Sequence, residues 1–135
     1  MSFIYSLAVL GLPTATQLSE LENAVTDAVS MFGLRVGQEI GWEVSPDTFI
    51  PNQQRSAAVV FFGGLGADHP SLPSLLRSGV PVVPVVSDLC EVATNVPEIL
   101  RPLNCLSYAN GGAKRVATAL LECAGLLPKQ RRVFV

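Results

Sequence analysis

The polar residues best placed for chemistry follow an apolar run. Ser56–Phe62 reads Ser-Ala-Ala-Val-Val-Phe-Phe and leads into Gly63-Gly64-Leu65-Gly66-Ala67-Asp68-His69. Glycines ahead of a helix start leave backbone N–H groups bare, so this loop fits close approach to an anion such as a phosphate. His69 is the only histidine of the chain, and an imidazole there suits phosphate binding or general-base work. The same residues also fit a tight turn that needs glycine for positive φ, with Asp68 as an N-cap and His69 solvated in the first helical turn. Gly11, in Gly11-Leu12-Pro13-Thr14, marks another loop after an apolar run. The candidate ligand-binding residues are therefore Gly11, Gly64, Gly66, Asp68 and His69. No residue is assigned a catalytic or metal-binding role.

A second group surrounds the single tryptophan. Glu39, Glu43 and Asp47 flank Trp42, a combination that fits a clamp on a ribose or a partner, or a solvated loop with one anchoring aromatic. Trp42 and Phe49 are the candidate exposed anchors for self-association, since aromatics are enriched at hot spots; the opposing description makes both satellite core residues. Other chemistries lack their motifs. Gly64-x-Gly66 is not a complete GxGxxG, no Gly-Lys-Ser/Thr follows a glycine loop, and GxSxG is missing. Cys90 lies between Asp88 and Glu91, whose negative charge opposes thiolate formation. Cys90, Cys105 and Cys123 form no CxxC pair, so reduced thiols in a cytoplasmic protein are expected, without a metal site.

Composition narrows the partners. Nine Lys and Arg against eleven Asp and Glu give a net charge of −2, which leaves no nucleic-acid footprint in the totals. The longest apolar run, Ser6–Leu12, falls far short of the ~20 residues that span a bilayer. The first basic residue is Arg35, so the start lacks the charged region of a signal peptide. No nucleic acid and no membrane are expected as partners.

The elements that must position these residues alternate. Phe3–Leu12 is a nearly unbroken apolar run, suited to a strand covered on both faces. Thr14–Phe32 has the helical period, with Leu18, Leu21, Val25, Ala28, Val29 and Phe32 on one face. Thr14 and Gln17 have capping-box spacing, Glu20 and Glu22 suit the positive end of the helix dipole, and Gly33 suits a C-terminal stop. Leu34-Arg35-Val36 alternates like a short strand, which Gly37 and Gly41 weaken. Ser45-Pro46-Asp47 has the form of a short helix start, interrupted at Pro51. After the strand Ser56–Phe62, a helix is expected over His69–Ser78, then Gly79 and a strand over Val80–Val86. Two prolines in that strand predict a place near a sheet edge, or a bulge. A short strand near Asn104–Tyr108 and a helix over Ala113–Ala124, ended by Gly125, complete the series. This alternation predicts an α/β fold: a flavodoxin-like three-layer sandwich with a five-stranded parallel sheet in the order 2-1-3-4-5. In that order strands one and three form the topological switch point, the usual ligand site of an open α/β sheet.

Three segments resemble bacterial Toll/interleukin-1 receptor (TIR) domains: the strand Ser6–Leu12, the strand Ala57–Phe62 with Gly64-Leu65-Gly66, and Val80-Pro81-Val82-Val83-Pro84. Lys129-Gln130-Arg131-Arg132-Val133-Phe134-Val135 resembles the opening of a second such domain. Residues 1–127 are therefore expected to form one TIR-like domain, and residues 128–135 a linker and the start of the next. The resemblance implies self-association and a TIR effector domain in the same polypeptide.

Enzymatic TIR domains cleave NAD with a glutamate on the helix after the third strand, in a Trp-x-x-x-Glu context. The carboxylate stabilises the positive charge of an oxocarbenium-like transition state. Here that helix reads His69-Pro70-Ser71-Leu72-Pro73-Ser74-Leu75-Leu76-Arg77, without Trp or Glu. The resemblance thus implies a degenerate, non-catalytic module for ligand sensing or self-assembly in a bacterial defence or signalling protein. It implies no resident cofactor, with NAD or a related nucleotide as the possible ligand. The alternative is a divergent NAD or nucleotide glycohydrolase using Asp68, with Glu43 contributed across the cleft. A receiver-type phosphoacceptor fits less well, because Gly11-Leu12-Pro13-Thr14 lacks the paired acids such domains place after the first strand.

Overall fold

Apolar side chains of the inner strands divide by parity into two clusters, as a sheet covered on both faces requires. Leu7, Val9, Ala58, Val60, Phe62, Val83 and Val85 join one cluster; Ala8, Leu10, Val59, Phe61, Val82 and Val86 join the other. The computed structural model describes residues 5–45, 49, 56–88, 92–103, 105–109 and 111–126. The elements are β1 (Tyr5–Gly11), α1 (Ala15–Ser30), β2 (Ile40–Val44), β3 (Ser56–Phe62), α2 (Leu72–Arg77), β4 (Val82–Val86), α3 (Val92–Asn95), β5 (Leu106–Ser107) and α4 (Gly112–Cys123). A 3-10 turn at Glu98–Leu100 separates α3 from β5. The strands pair in the order β2-β1-β3-β4-β5, all parallel. This is the flavodoxin-like arrangement that the sequence predicts.

Helices cover both faces. α1 supplies Leu21, Val25 and Val29 to the first cluster, and α4 supplies Val116, Ala117, Leu120 and Leu121. α2 supplies Leu72 and Leu75 to the second, with Val96 and Leu100 beside them. Connections from β1 and β3 therefore leave to opposite faces, which makes the ends of these two strands the switch point.

Local signals explain several boundaries. The capping box at the start of α1 forms: Thr14 Oγ1 accepts from Gln17 N–H at 3.1 Å, and Gln17 Oε1 accepts from Thr14 N–H at 2.9 Å. Gly33, Gly79 and Gly125 end α1, α2 and α4 in the left-handed conformation, each with the returning pair of hydrogen bonds of a Schellman motif.

Other expectations are corrected. Phe32 leaves the buried stripe and is 51% exposed, because α1 stops at Ser30 and the chain reverses at Gly33. Glu20 and Glu22 lie beyond the first turn of α1, where the dipole effect has faded. The second strand is Ile40–Val44, not Leu34–Val36. A turn at Gly37 (φ +91°) ends the earlier segment, and Glu39 Oε2 accepts from Arg35 N–H within it. α2 begins at Leu72 and not at His69: a residue preceding proline disfavours the helical region, and Pro70 follows His69.

The proline strand β4 lies near the sheet edge, as its prolines predict, next to the two-residue edge strand β5. Its Pro81 and Val85 carbonyls accept from β3 and the loop after it, while that of Val86 accepts from Tyr108 N–H beyond β5. Alternation turns the Pro84 nitrogen toward the β5 side, ahead of the first paired residues Val85 and Leu106. The missing donor there costs no ladder bond within the paired stretch. The outer strand at the opposite edge is β2, which contains no proline. Pro46 and Asp47 of the expected short helix start, the residue Cys90 and the segment 128–135 lie outside the described residues.

Candidate functional site

Backbone packing at the switch point is tight, and glycine makes it so. Gly11 ends β1 at φ +89°, and a Cβ there would lie 2.1 Å from the Phe62 carbonyl oxygen. Leu12 N–H donates to that same oxygen at 2.9 Å. At Gly64 an added Cβ would meet the Leu12 side chain at 3.0 Å, so the loop after β1 lies against the loop after β3. The fold thus brings Gly11 and the glycine loop together, as the strand order requires.

Three of the loop's backbone donors are bonded inside the protein. Gly63 N–H donates to the Val85 carbonyl at 2.7 Å, and Gly64 N–H to the Asn95 carbonyl at 2.9 Å. Ala67 N–H donates back to the Gly64 carbonyl, closing a turn in which Gly66 has φ +79°. Positive φ at the third position is what a type II turn demands of glycine. The positive φ of Gly66 and the Ala67-to-Gly64 bond are those of a tight turn.

Asp68 and His69 serve local geometry. Asp68 Oδ1 accepts from His69 N–H at 2.7 Å and does not cap α2. The half-buried His69 accepts from Ser71 N–H through Nδ1 at 3.1 Å, which places the proton of a neutral ring on Nε2. Ser71 stands at the N-cap position, yet its hydroxyl accepts from Phe49 N–H at 3.1 Å instead of capping the helix. Phe49 is consequently only 4% exposed and packs with α2. It is core, and the expectation of an exposed Phe49 anchor is corrected.

The acidic group around Trp42 disperses. Glu39 bonds a backbone N–H of its own turn, and Asp47 lies outside the described residues. Trp42 is half-buried against the α1-side cluster. With Glu43 of β2, Glu22 of α1 and Leu7 of β1 it lines a cleft of about 390 Å³ at the outer edge of the sheet. The sequence reasoning missed Glu22 as a cleft residue. Its signal was a carboxylate bordering the helix's apolar stripe, four residues after Leu18 and three before Val25.

Exposed apolar side chains mark both ends of the molecule. Leu12 and Leu65 are 55% and 84% exposed beside the switch point, with Val44 at the end of β2. Met31 and Phe32 are exposed at the C-terminal end of α1, which points to the opposite end of the sheet. Among the described residues no group of three or more His, Cys, Asp or Glu is arranged to hold a metal ion. No helix among them is long and apolar enough to cross a membrane. Burial pushes the Cys105 thiol pKa up. Comparison of the chain with protein-family models, with curated proteins and with solved structures finds no match.

Proposed function

We propose that this chain is a non-catalytic, TIR-like module that works by self-association within a bacterial defence or signalling protein. The observation that carries the reading is the state of the β3–α2 loop. Its Gly63 and Gly64 donors are bonded within the fold, and α2 is Leu-Pro-Ser-Leu-Leu-Arg, with no carboxylate. A glycosidic C–N bond that breaks through an oxocarbenium-like transition state needs a carboxylate held beside it. The carboxylate just before α2 in sequence, Asp68, is exposed and has one oxygen bonded to the His69 N–H. Leu12 and Leu65 beside that loop instead offer apolar surface, which on soluble proteins marks contact sites when contiguous. The low charged fraction of 15%, against a typical ~25%, favours contact between copies.

Release of nicotinamide from NAD by the full chain at high protein concentration tests the catalytic half of this reading. No release above the uncatalysed background is expected. Turnover that disappears in Asp68→Ala, with the fold retained, would replace the module by the divergent glycohydrolase.

A further inference from the structure

The cleft beside β2 lies apart from the switch point, between β2, α1 and the first residues of β1. Val36 gives it an apolar wall, Trp42 an indole and Glu22 a carboxylate, while the fully buried Leu7 forms its floor; nothing lies within 4 Å of where a Cβ on Gly37 would be. Its volume of about 390 Å³ falls within the ~300–1,000 Å³ of small-molecule sites. Trp42 and Leu7 are register partners on neighbouring strands, so their side chains share the face that α1 covers, and Glu22 comes from α1 itself. Glu43 leaves β2 on the other face and stands at the rim of the cleft. Two of its described lining residues are acidic and none is basic.

That combination selects a charge sign. An indole face and a carboxylate both attract a cation, and the half-burial of Trp42 strengthens its share. An anionic group such as a nucleotide phosphate would meet Glu22 and Glu43 with no counter-charge from the lining. We propose that the cleft binds a small organic cation, an ammonium or guanidinium carried on a short apolar chain. The apolar chain lies along Val36, and the cationic head lies between the Trp42 indole and the Glu22 carboxylate. This inference is independent of self-association and of the absence of NAD cleavage.

Because Trp42 is the only tryptophan, intrinsic fluorescence of the full chain reports on this cleft alone. The probes are n-butylammonium and n-butylguanidinium, with n-butanol as the neutral analogue and butyrate as the anionic one, all at constant ionic strength. A saturable change is expected with the two cations only, with Kd of about 1 mM for ligands of this size. Glu22→Gln is expected to weaken binding about tenfold, and Glu43→Gln, at the rim, by about threefold or less. Circular dichroism of each variant should match the parent. Equal binding of n-butanol, unchanged affinity in Glu22→Gln, or no saturable response to either cation would overturn the proposal. So would a response to a lysine-bearing peptide alone, which would make the cleft a protein-docking site.

Discussion

A methyl group added at Gly11 would sit 2.1 Å from the Phe62 carbonyl oxygen, on a backbone with φ +89°. No side-chain rotation relieves a clash with backbone, so β1 and β3 would have to separate where their loops meet. Gly11→Ala is expected to lower stability by about 3 kcal/mol or more, read as a lower urea midpoint. Tyr108 presents a different case. Its hydroxyl donates to Glu20 Oε1 at 2.6 Å, tying the segment after β5 to α1, and its ring packs against Phe62 at 6.2 Å. Burial, the hydrogen bond and the Glu20 charge push its pKa up from 10 to about 12. The folded value lies above the unfolded one, so this contribution is whole below pH 10 and is lost as pH rises toward 12. Tyr108→Phe should remove the part of the parent's stability loss that falls in that window, as measured by denaturant unfolding at a series of pH values. Neither contact was legible in the sequence, because Tyr108 and Glu20 are 88 residues apart.

Helix starts and stops were legible where one local bond decides them. The Thr14–Gln17 capping box is a three-residue interaction, and it forms as the spacing implies. Thr14→Ala should cost about 1 kcal/mol, seen as a lower melting temperature with unchanged far-ultraviolet circular dichroism. α2 was misread because a distant partner intervenes. Ser71 Oγ accepts from Phe49 N–H across 22 residues, and Pro70 delays the helix past Asp68 and His69. Asp68→Ala should therefore change stability by less than about 0.5 kcal/mol, well below the loss of a true N-cap. β2 was harder to place, since Gly37 and Gly41 break the alternation that marks a strand. Its position depends on pairing with β1, which only the fold supplies.

Strand order was legible because buried parallel strands are continuous apolar runs and right-handed crossovers leave few topologies. The candidate site was legible only as a location. The sequence placed Gly11, Gly64, Gly66, Asp68 and His69 at the switch point, but not the bonds by which Val85 and Asn95 consume the Gly63 and Gly64 donors. Apolar residues are exposed at that end, Leu12 and Leu65, and at the other, Met31 and Phe32. On the proposed self-association, contact between these two ends would join copies head to tail, as rings or open chains. Sedimentation velocity of the full chain and of Leu65→Glu over a wide concentration range tests self-association most directly. Leu65 is 84% exposed, so its replacement leaves the core intact. The parent is expected to form species larger than a dimer as concentration rises, and Leu65→Glu to remain monomeric with a native circular dichroism spectrum. A parent that sediments as a monomer at every concentration would contradict a module that works by self-association.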